Sequence, residues 1–311
     1  MLLFRLLVVA VLAVLVGFTS VPAHAGDGQR ALALLPRDTT MVAAWNVARS
    51  RLSSVGVELV DVLADGRVIS GTVQRLRRRM ELTWQRDVDT VVLGMSANGA
   101  DRGSLVMLIE GKVNRQTLLA AAQKERGFRA QVHRGIDYYQ VGRAEIAYID
   151  SFWVTARKGR MTRIIDIFRG QSQSVRRNKR VMELLGKVDV GRDMWCAFWI
   201  PEPMRESIAS GGQVHTISAN MDLRKRVRAR IRLGLADRTS VIAMGTWLRA
   251  QGPSDENIKA MGLSQAVRNA SLSRRGTSLD LLLTIPVDAL PKLEAYLREY
   301  ARGGDEPEQG S

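Results

Sequence analysis

The stretch Arg224-Lys225-Arg226-Val227-Arg228-Ala229-Arg230-Ile231-Arg232-Leu233-Gly234-Leu235 puts arginine on every even position from 224 to 232. Its odd positions from 227 onward are apolar. A β-strand turns successive side chains to opposite faces and rises about 3.3 Å per residue. Read as a strand, the stretch makes a ladder of Arg224, Arg226, Arg228, Arg230 and Arg232 with rungs about 7 Å apart. Val227, Ala229, Ile231, Leu233 and Leu235 then face a core. A helix, at about 100° per residue, would scatter both sets around its axis.

The neighbouring sequence supports this reading. Val214 to Asp222 alternates with the same parity, Ile217, Ala219 and Met221 inward and Thr216, Ser218, Asn220 and Asp222 outward, and is expected to form a hairpin with the arginine strand. Leu279, Leu281, Leu283 and Ile285 give a later strand its core face, after a turn at Arg274-Arg275-Gly276. Between them, Asp237 to Ala250 and Asn257 to Asn269 read as helices. A last helix carries Leu290, Leu293, Leu297 and Tyr300, and a Glu294 to Arg298 pair supports it.

The first half has the same ingredients. Met41 to Val47 is a short β-branched and aromatic run that suits a buried strand. One helical pattern follows on Leu52, Val55, Leu59 and Leu63, and another on Ile69, Val73, Leu76 and Met80, with Arg75, Arg78 and Arg79 outward. Val88 to Ser96 and Ser104 to Gly111 read as adjacent strands. Asn114 caps a helix across which Val113 and Leu118 form a hydrophobic staple. Short strands fill 129–155, and Met161, Ile164, Ile165 and Phe168 mark one face of a helix ended by Gly170.

Asp193 to Ile200 repeats the character of residues 38–47, an acidic start and then a small and aromatic strand. This suggests an internal duplication. The expected fold is α+β, antiparallel sheets with helices packed on one face, in two diverged repeats over 26–188 and 189–303. Residues 304–311 are expected to form a disordered tail.

Residues 1–25 read as a secretory signal peptide: Arg5, an apolar run from Leu6 to Phe18, and the small-x-small site Ala23-His24-Ala25. An uncleaved N-terminal anchor is the alternative. Cleavage would remove Arg5 and leave 45 basic against 31 acidic residues, a net charge of +14, with no further transmembrane span expected. Arginine outnumbers lysine 38 to 8, a bias that a GC-rich genome also produces. The single cysteine, Cys196, excludes an intramolecular disulfide, so the core alone must hold the chain together. Alternation with Met194, Phe198 and Ile200 marks it as a core residue.

Leu35-Pro36-Arg37-Asp38-Thr39, Ile109-Glu110-Gly111-Lys112-Val113 and Arg134-Gly135-Ile136-Asp137-Tyr138 are similar to elements of a group of exported bacterial proteins of unknown function. Their domains open on a Leu-Pro-x-Asp-Thr element followed by a strand. The resemblance implies an α+β fold and a periplasmic or secreted location. It carries over no catalytic residue.

Signatures of familiar chemistry are missing from the sequence. His133 and His215, the histidines beyond the signal, have no cysteine or carboxylate at metal-ligand spacing. No phosphate-cradling glycine loop or nucleophile elbow is found, and Gly94-Met95-Ser96-Ala97-Asn98 only grazes the latter. Glu58 and Asp61 share a helix face, as surface carboxylates often do. Trp45, Trp195 and Trp199 fall in strands and read as core. No catalytic residue, cofactor or metal is assigned, and the chain reads as a non-enzyme.

The expected function is therefore binding or scaffolding in the cell envelope, with the arginine ladder as candidate anion-binding residues. Guanidinium groups pair bidentately with phosphate and carboxylate, which suits an anionic envelope lipid, a polysaccharide or an acidic protein. Nucleic acid is set aside, because export removes the protein from it and aromatic residues do not interleave with the basic runs. A periplasmic lipid or lipoprotein carrier and an envelope hydrolase without a local motif are the alternatives. Against the ladder stands Asp280, which can neutralise it from the neighbouring strand.

Overall fold

The computed structural model describes residues 27–57, 71–96, 104–206, 214–223, 226–293 and 295–296. The signal peptide, Arg224, the Glu58 and Asp61 pair and the tail lie outside them. Among the described residues there are twelve strands: β1 Met41–Asn46, β2 Val88–Ser96, β3 Ser104–Gly111, β4 Arg129–His133, β5 Ile136–Val141, β6 Ala144–Ile149, β7 Phe152–Arg157, β8 Met194–Trp199, β9 Val214–Asp222, β10 Val227–Leu235, β11 Ser271–Arg275 and β12 Ser278–Ile285. The helices among the described residues are α1 Asp27–Leu32, α2 Val47–Ser50, α3 Gly71–Arg79, α4 Trp84–Asp87, α5 Arg115–Gln123, α6 Met161–Phe168, α7 Lys179–Leu185, α8 Glu202–Glu206, α9 Arg238–Ala250, α10 Glu256–Ala260 and α11 Ser264–Arg268, with short helical turns besides. None of them is long and apolar enough to cross a membrane.

All twelve strands join one antiparallel sheet in the order β11-β12-β10-β9-β8-β1-β2-β3-β7-β6-β5-β4. The two halves of the chain meet at the β1–β8 pair, where Ala43 lies opposite Cys196. Outward from that seam the order repeats. One side runs through the β2–β3 hairpin to β7 and β6, the other through the β9–β10 hairpin to β12 and β11, and β5 and β4 extend the first side alone.

Strand parity divides the core into two layers. One face carries Ala43, Trp45, Val91, Ile109, Cys196, Ile217, Ile231 and Leu281 into a cluster that runs the length of the sheet under α3, α5, α9, α10 and α11. The other face carries Val42, Ala44, Val92, Leu108, Val154, Trp195 and Ala197 under α1, α6 and α7. No residue of β9 to β12 belongs to this second cluster. Among the described residues, helices thus cover both faces over the first half and the seam, and only one face over β10 to β12.

Several local expectations are met in detail. Asn114 accepts a hydrogen bond from Thr117 N at 2.8 Å, with Val113 and Leu118 buried beside it. Arg134 and Gly135, both at positive φ, make the two-residue turn between β4 and β5. Other expectations fail. Leu52 sits in a turn and is 79% exposed, so it does not share the buried face of Val55. Phe168, at the last turn of α6, is 40% exposed and Ile167 takes its place inside. The helix expected over Asn257–Asn269 is two, α10 and α11, broken where Gly262 adopts φ +72°.

Three buried carboxylates tie loops to this frame. Asp193, just before β8, takes Arg49 at 2.7 Å and accepts from Leu223 N at 2.7 Å, which pins the end of β9. Glu125 is buried between Arg75 at 2.8 Å and Arg79 at 2.6 Å, so two arginines of the α3 cluster clamp a carboxylate beyond α5. Burial alone would raise the Glu125 pKa, and the two guanidinium groups outweigh it and hold it below the usual range. Asp87 is bonded by Arg86 and by the backbone and hydroxyl of Thr83, and its carboxyl is pulled down to about 2.

Gly111, singled out by its motif, has a backbone reason. A Cβ there would lie 2.1 Å from the carbonyl oxygen of Asp87, which accepts from Lys112 N at 2.7 Å where β2 shifts register. Gly111→Ala is expected to lower stability by about 3 kcal/mol in urea unfolding, because the obstructing atom is backbone. Asp87 and Glu125 have folded pKa values below their unfolded ones, so their stabilisation is complete above the ordinary carboxylate range and fades as pH falls. Melting temperature should therefore drop between about pH 4 and pH 2, with a shallower slope in Asp87→Asn.

Candidate functional site

The open face of the second half is where the arginine strand lies. In β10, Arg228 and Arg230 are exposed, Arg232 is half-buried, and Val227, Ala229, Ile231, Leu233 and Leu235 are buried. Arg226 is exposed just before the strand. The ladder thus forms over its described members. On β9, Asn220 lies opposite Arg230 and Asp222 opposite Arg228; on β12, Thr284, Leu282 and Asp280 lie opposite Arg228, Arg230 and Arg232.

The rungs differ in their electrostatics. Arg232 grips Asp280 with both arms of its guanidinium, Nε to Oδ1 at 2.6 Å and Nη2 to Oδ2 at 3.1 Å, and the bond raises its pKa. Asp280 therefore neutralises one rung. Asp222 binds Arg192 at 3.0 Å, and Arg192 also holds Asp189 at 2.7 Å. Arg228 and Arg230 make no ion pair with any described carboxylate. Two adjacent guanidinium groups, about 7 Å apart, are left facing solvent.

Two shallow grooves flank this pair. One, of about 490 Å³, lies between Arg228 and Arg230 on one side and Asp189, Arg192, Asn220 and Asp222 on the other, with Thr284 and Leu282 beneath. The second, of about 270 Å³, runs from Arg230 and Arg232 across Asp280 and Leu282 to Ser271, Ser273 and Arg275. Leu282 lines both grooves and is 42% exposed, a large apolar side chain amid charge. Of the Arg274-Arg275 pair only Arg275 lies on this face. Arg274 points to the helix side, where its guanidinium approaches Gly245 of α9.

The face ends where α7 packs on β8 and β9. Arg180 of α7 lies over the Trp199 ring at 4.6 Å, so a cation already covers that indole. Trp45 and Trp195 are buried. Arg192 and Leu282 belong to the face without having been singled out by the sequence, whereas Arg275 comes from the basic pair Arg274-Arg275. Arg192 lay between elements, and its spacing of three from Asp189 was the one available signal.

The remaining candidates lie elsewhere. His133, at the end of β4, bonds Asp166 at 2.8 Å, and Arg134 binds the same carboxylate, which lowers its pKa. His215, on β9, has a pKa lowered by burial and by Arg205 nearby. Cys196 is fully buried, and burial pushes its thiol up to about 12. Ser96 is buried at the end of β2, and the space beside Gly94 is taken by Leu35. Among the described residues no group of three or more His, Cys, Asp or Glu side chains is placed to hold a metal.

These features define an α+β protein on one antiparallel sheet with a basic open face. Neither a protein-family model nor a curated protein matches the chain. In fold it is similar to TP0453: crystal form III of that protein superposes with a TM-score of 0.54 at 11% identity, over 86% of this chain and 97% of that one. Crystal forms I and IV of TP0453 each give a TM-score of 0.47 at 12% and 11% identity. The likeness is one of fold alone.

Asp280→Asn should release Arg232 and add one positive charge to the face. On an immobilised polyanion such as heparin, the variant is expected to elute at higher salt than the parent, and elution at unchanged salt would count against an accessible ladder.

Proposed function

We propose that the chain is an exported cell-envelope protein, non-enzymatic, that binds anionic partners on the outer face of β9 to β12. One observation carries the reading. Arg228 and Arg230 stand side by side on one strand, exposed and without a carboxylate partner among the described residues, while Arg232 beside them is paired. Like charges in adjacent ladder positions repel, so two arginines left unpaired among the described residues favour a counter-charge supplied by an anionic partner. Phosphate and carboxylate groups fit guanidinium forks, and a sheet face with only shallow, open grooves suits a surface-borne partner better than an enclosed small substrate.

Export rests on the pattern of residues 1–25, and a periplasmic or secreted location follows from it. The reading of two diverged repeats draws on the strand order that recurs on either side of the seam. In that reading β10 corresponds to β3, which has no arginine ladder, so the basic face belongs to the second repeat and is not a requirement of the architecture.

The test is co-sedimentation with phosphatidylcholine vesicles with and without phosphatidylglycerol, at low and near-physiological salt. The parent protein should bind the anionic vesicles and weaken as salt rises. The double variant Arg228→Gln, Arg230→Gln should lose about tenfold in affinity or more, at about 1 kcal/mol per arginine. Equal binding by parent and variant would sink the proposal.

A further inference from the structure

Arg230 is a wall of both grooves, and Leu282 lies on the floor between them. The larger groove presents Arg228 and Arg230 toward β9; the smaller presents Arg230 and Arg275 toward β11. Together the two are lined by five arginines and three aspartates, which leaves two net positive charges. Arg232 and Arg192 are held by those aspartates. The excess therefore sits on Arg228, Arg230 and Arg275, divided between the two grooves.

The grooves are offset along and across the sheet. With about 3.3 Å per residue along a strand and about 4.8 Å between strands, their centres are about 10 to 12 Å apart. That is too far for one phosphate to occupy both, and it suits two phosphates held apart by a compact scaffold. Hydroxyl and amide groups on the groove floors, Ser271, Ser273, Thr284 and Asn220, add hydrogen bonds for the ester and sugar oxygens of such a ligand. Leu282, the apolar residue common to both linings, offers a contact beneath the middle of the scaffold, and Leu272 and Leu281 also line the smaller groove.

On the strength of the anion-binding reading above, we propose that this face recognises a membrane-borne ligand with two phosphate groups on one saccharide headgroup, one phosphate in each groove and Arg230 shared between them. A lipid-borne source is favoured over a soluble bisphosphate because both grooves are shallow and open to solvent, enclosing little of a ligand. Such a face makes few contacts to a lone small molecule, whereas a headgroup fixed in a bilayer presents itself repeatedly to the same rigid sheet.

The experiment compares phosphatidylcholine vesicles containing diphosphoryl lipid A, monophosphoryl lipid A or phosphatidylglycerol, matched for total charge, with fructose 1,6-bisphosphate as soluble competitor. The parent protein is expected to bind the diphosphoryl vesicles at least tenfold more tightly than either other kind, and millimolar fructose bisphosphate should not displace it. Arg230→Gln should erase the preference. Arg274→Gln, on the helix side of the sheet and outside both grooves, should keep it, with far-UV circular dichroism and melting temperature confirming that both variants are folded. Equal affinity at matched charge, a preference that survives Arg230→Gln, or displacement by the soluble bisphosphate would overturn the inference. Binding to phosphatidylglycerol that depends on Arg228 and Arg230 but shows no diphosphoryl preference would overturn this inference and leave the broader reading standing. Absence of binding to every anionic vesicle would remove both.

Discussion

Two strands hold the molecule together: β1 and β8, antiparallel neighbours at the middle of the sheet, each from a different half of the chain. Every residue of Met41–Asn46 is buried, as are Met194 to Phe198 across from it. Such burial on both faces requires side chains that are apolar whichever way they point, which is why these two runs lack the alternation seen elsewhere. Asp193 locks the seam from below, because its main chain accepts from Asn46 N and its side chain holds Arg49 and Leu223. The position of β9, and so of the arginine strand that pairs with it, is inherited from this junction.

From the seam outward the sheet changes character. Toward β6 and β5 it stays sandwiched between helices, with only the edge strand β4 exposed, and toward β11 it loses its second cover among the described residues. The arginine ladder occupies the uncovered part. A row of guanidinium groups is expensive to desolvate and was never compatible with a second helix layer. The strand's alternation thus specifies two things at once: a buried apolar face toward α9 and a face that must remain wet.

Much of this was legible because it is written at a spacing of two or of three to four residues. The β2–β3 and β9–β10 hairpins, the Asn114 cap and the parity of β12 all follow from neighbours in sequence. What escaped depends on partners far along the chain. Arg75 and Arg79 read as a solvated helix face, and only the fold brings Glu125 between them, about 50 residues away by position. Arg192 reached the site through a loop, and Leu282 was simply the outward member of an apolar strand. Asp280 was recognised as a neutralising partner, but sequence alone left open how many rungs it serves; its two oxygens are used up by Arg232. The break at Gly262 was missed because the apolar spacing continues across it, with Ile258, Met261 and Val267 all buried. Leu52 shows the reverse error, an apolar residue in helical register that the turn at 51–53 carries into solvent.

Cys196 lies in the middle of the seam, opposite Ala43, with no exposed surface and a thiol that stays protonated at any physiological pH. In the native state it is chemically silent, so an oxidising compartment does not cross-link one molecule to another through it. Its side chain lies in the core cluster under the helices, between Ala43 of β1 and Ala219 of β9, so reaction requires that this central packing open. The lone cysteine is thus shielded by the same packing that holds the two halves of the sheet together, and is open to alkylation only where that packing is broken.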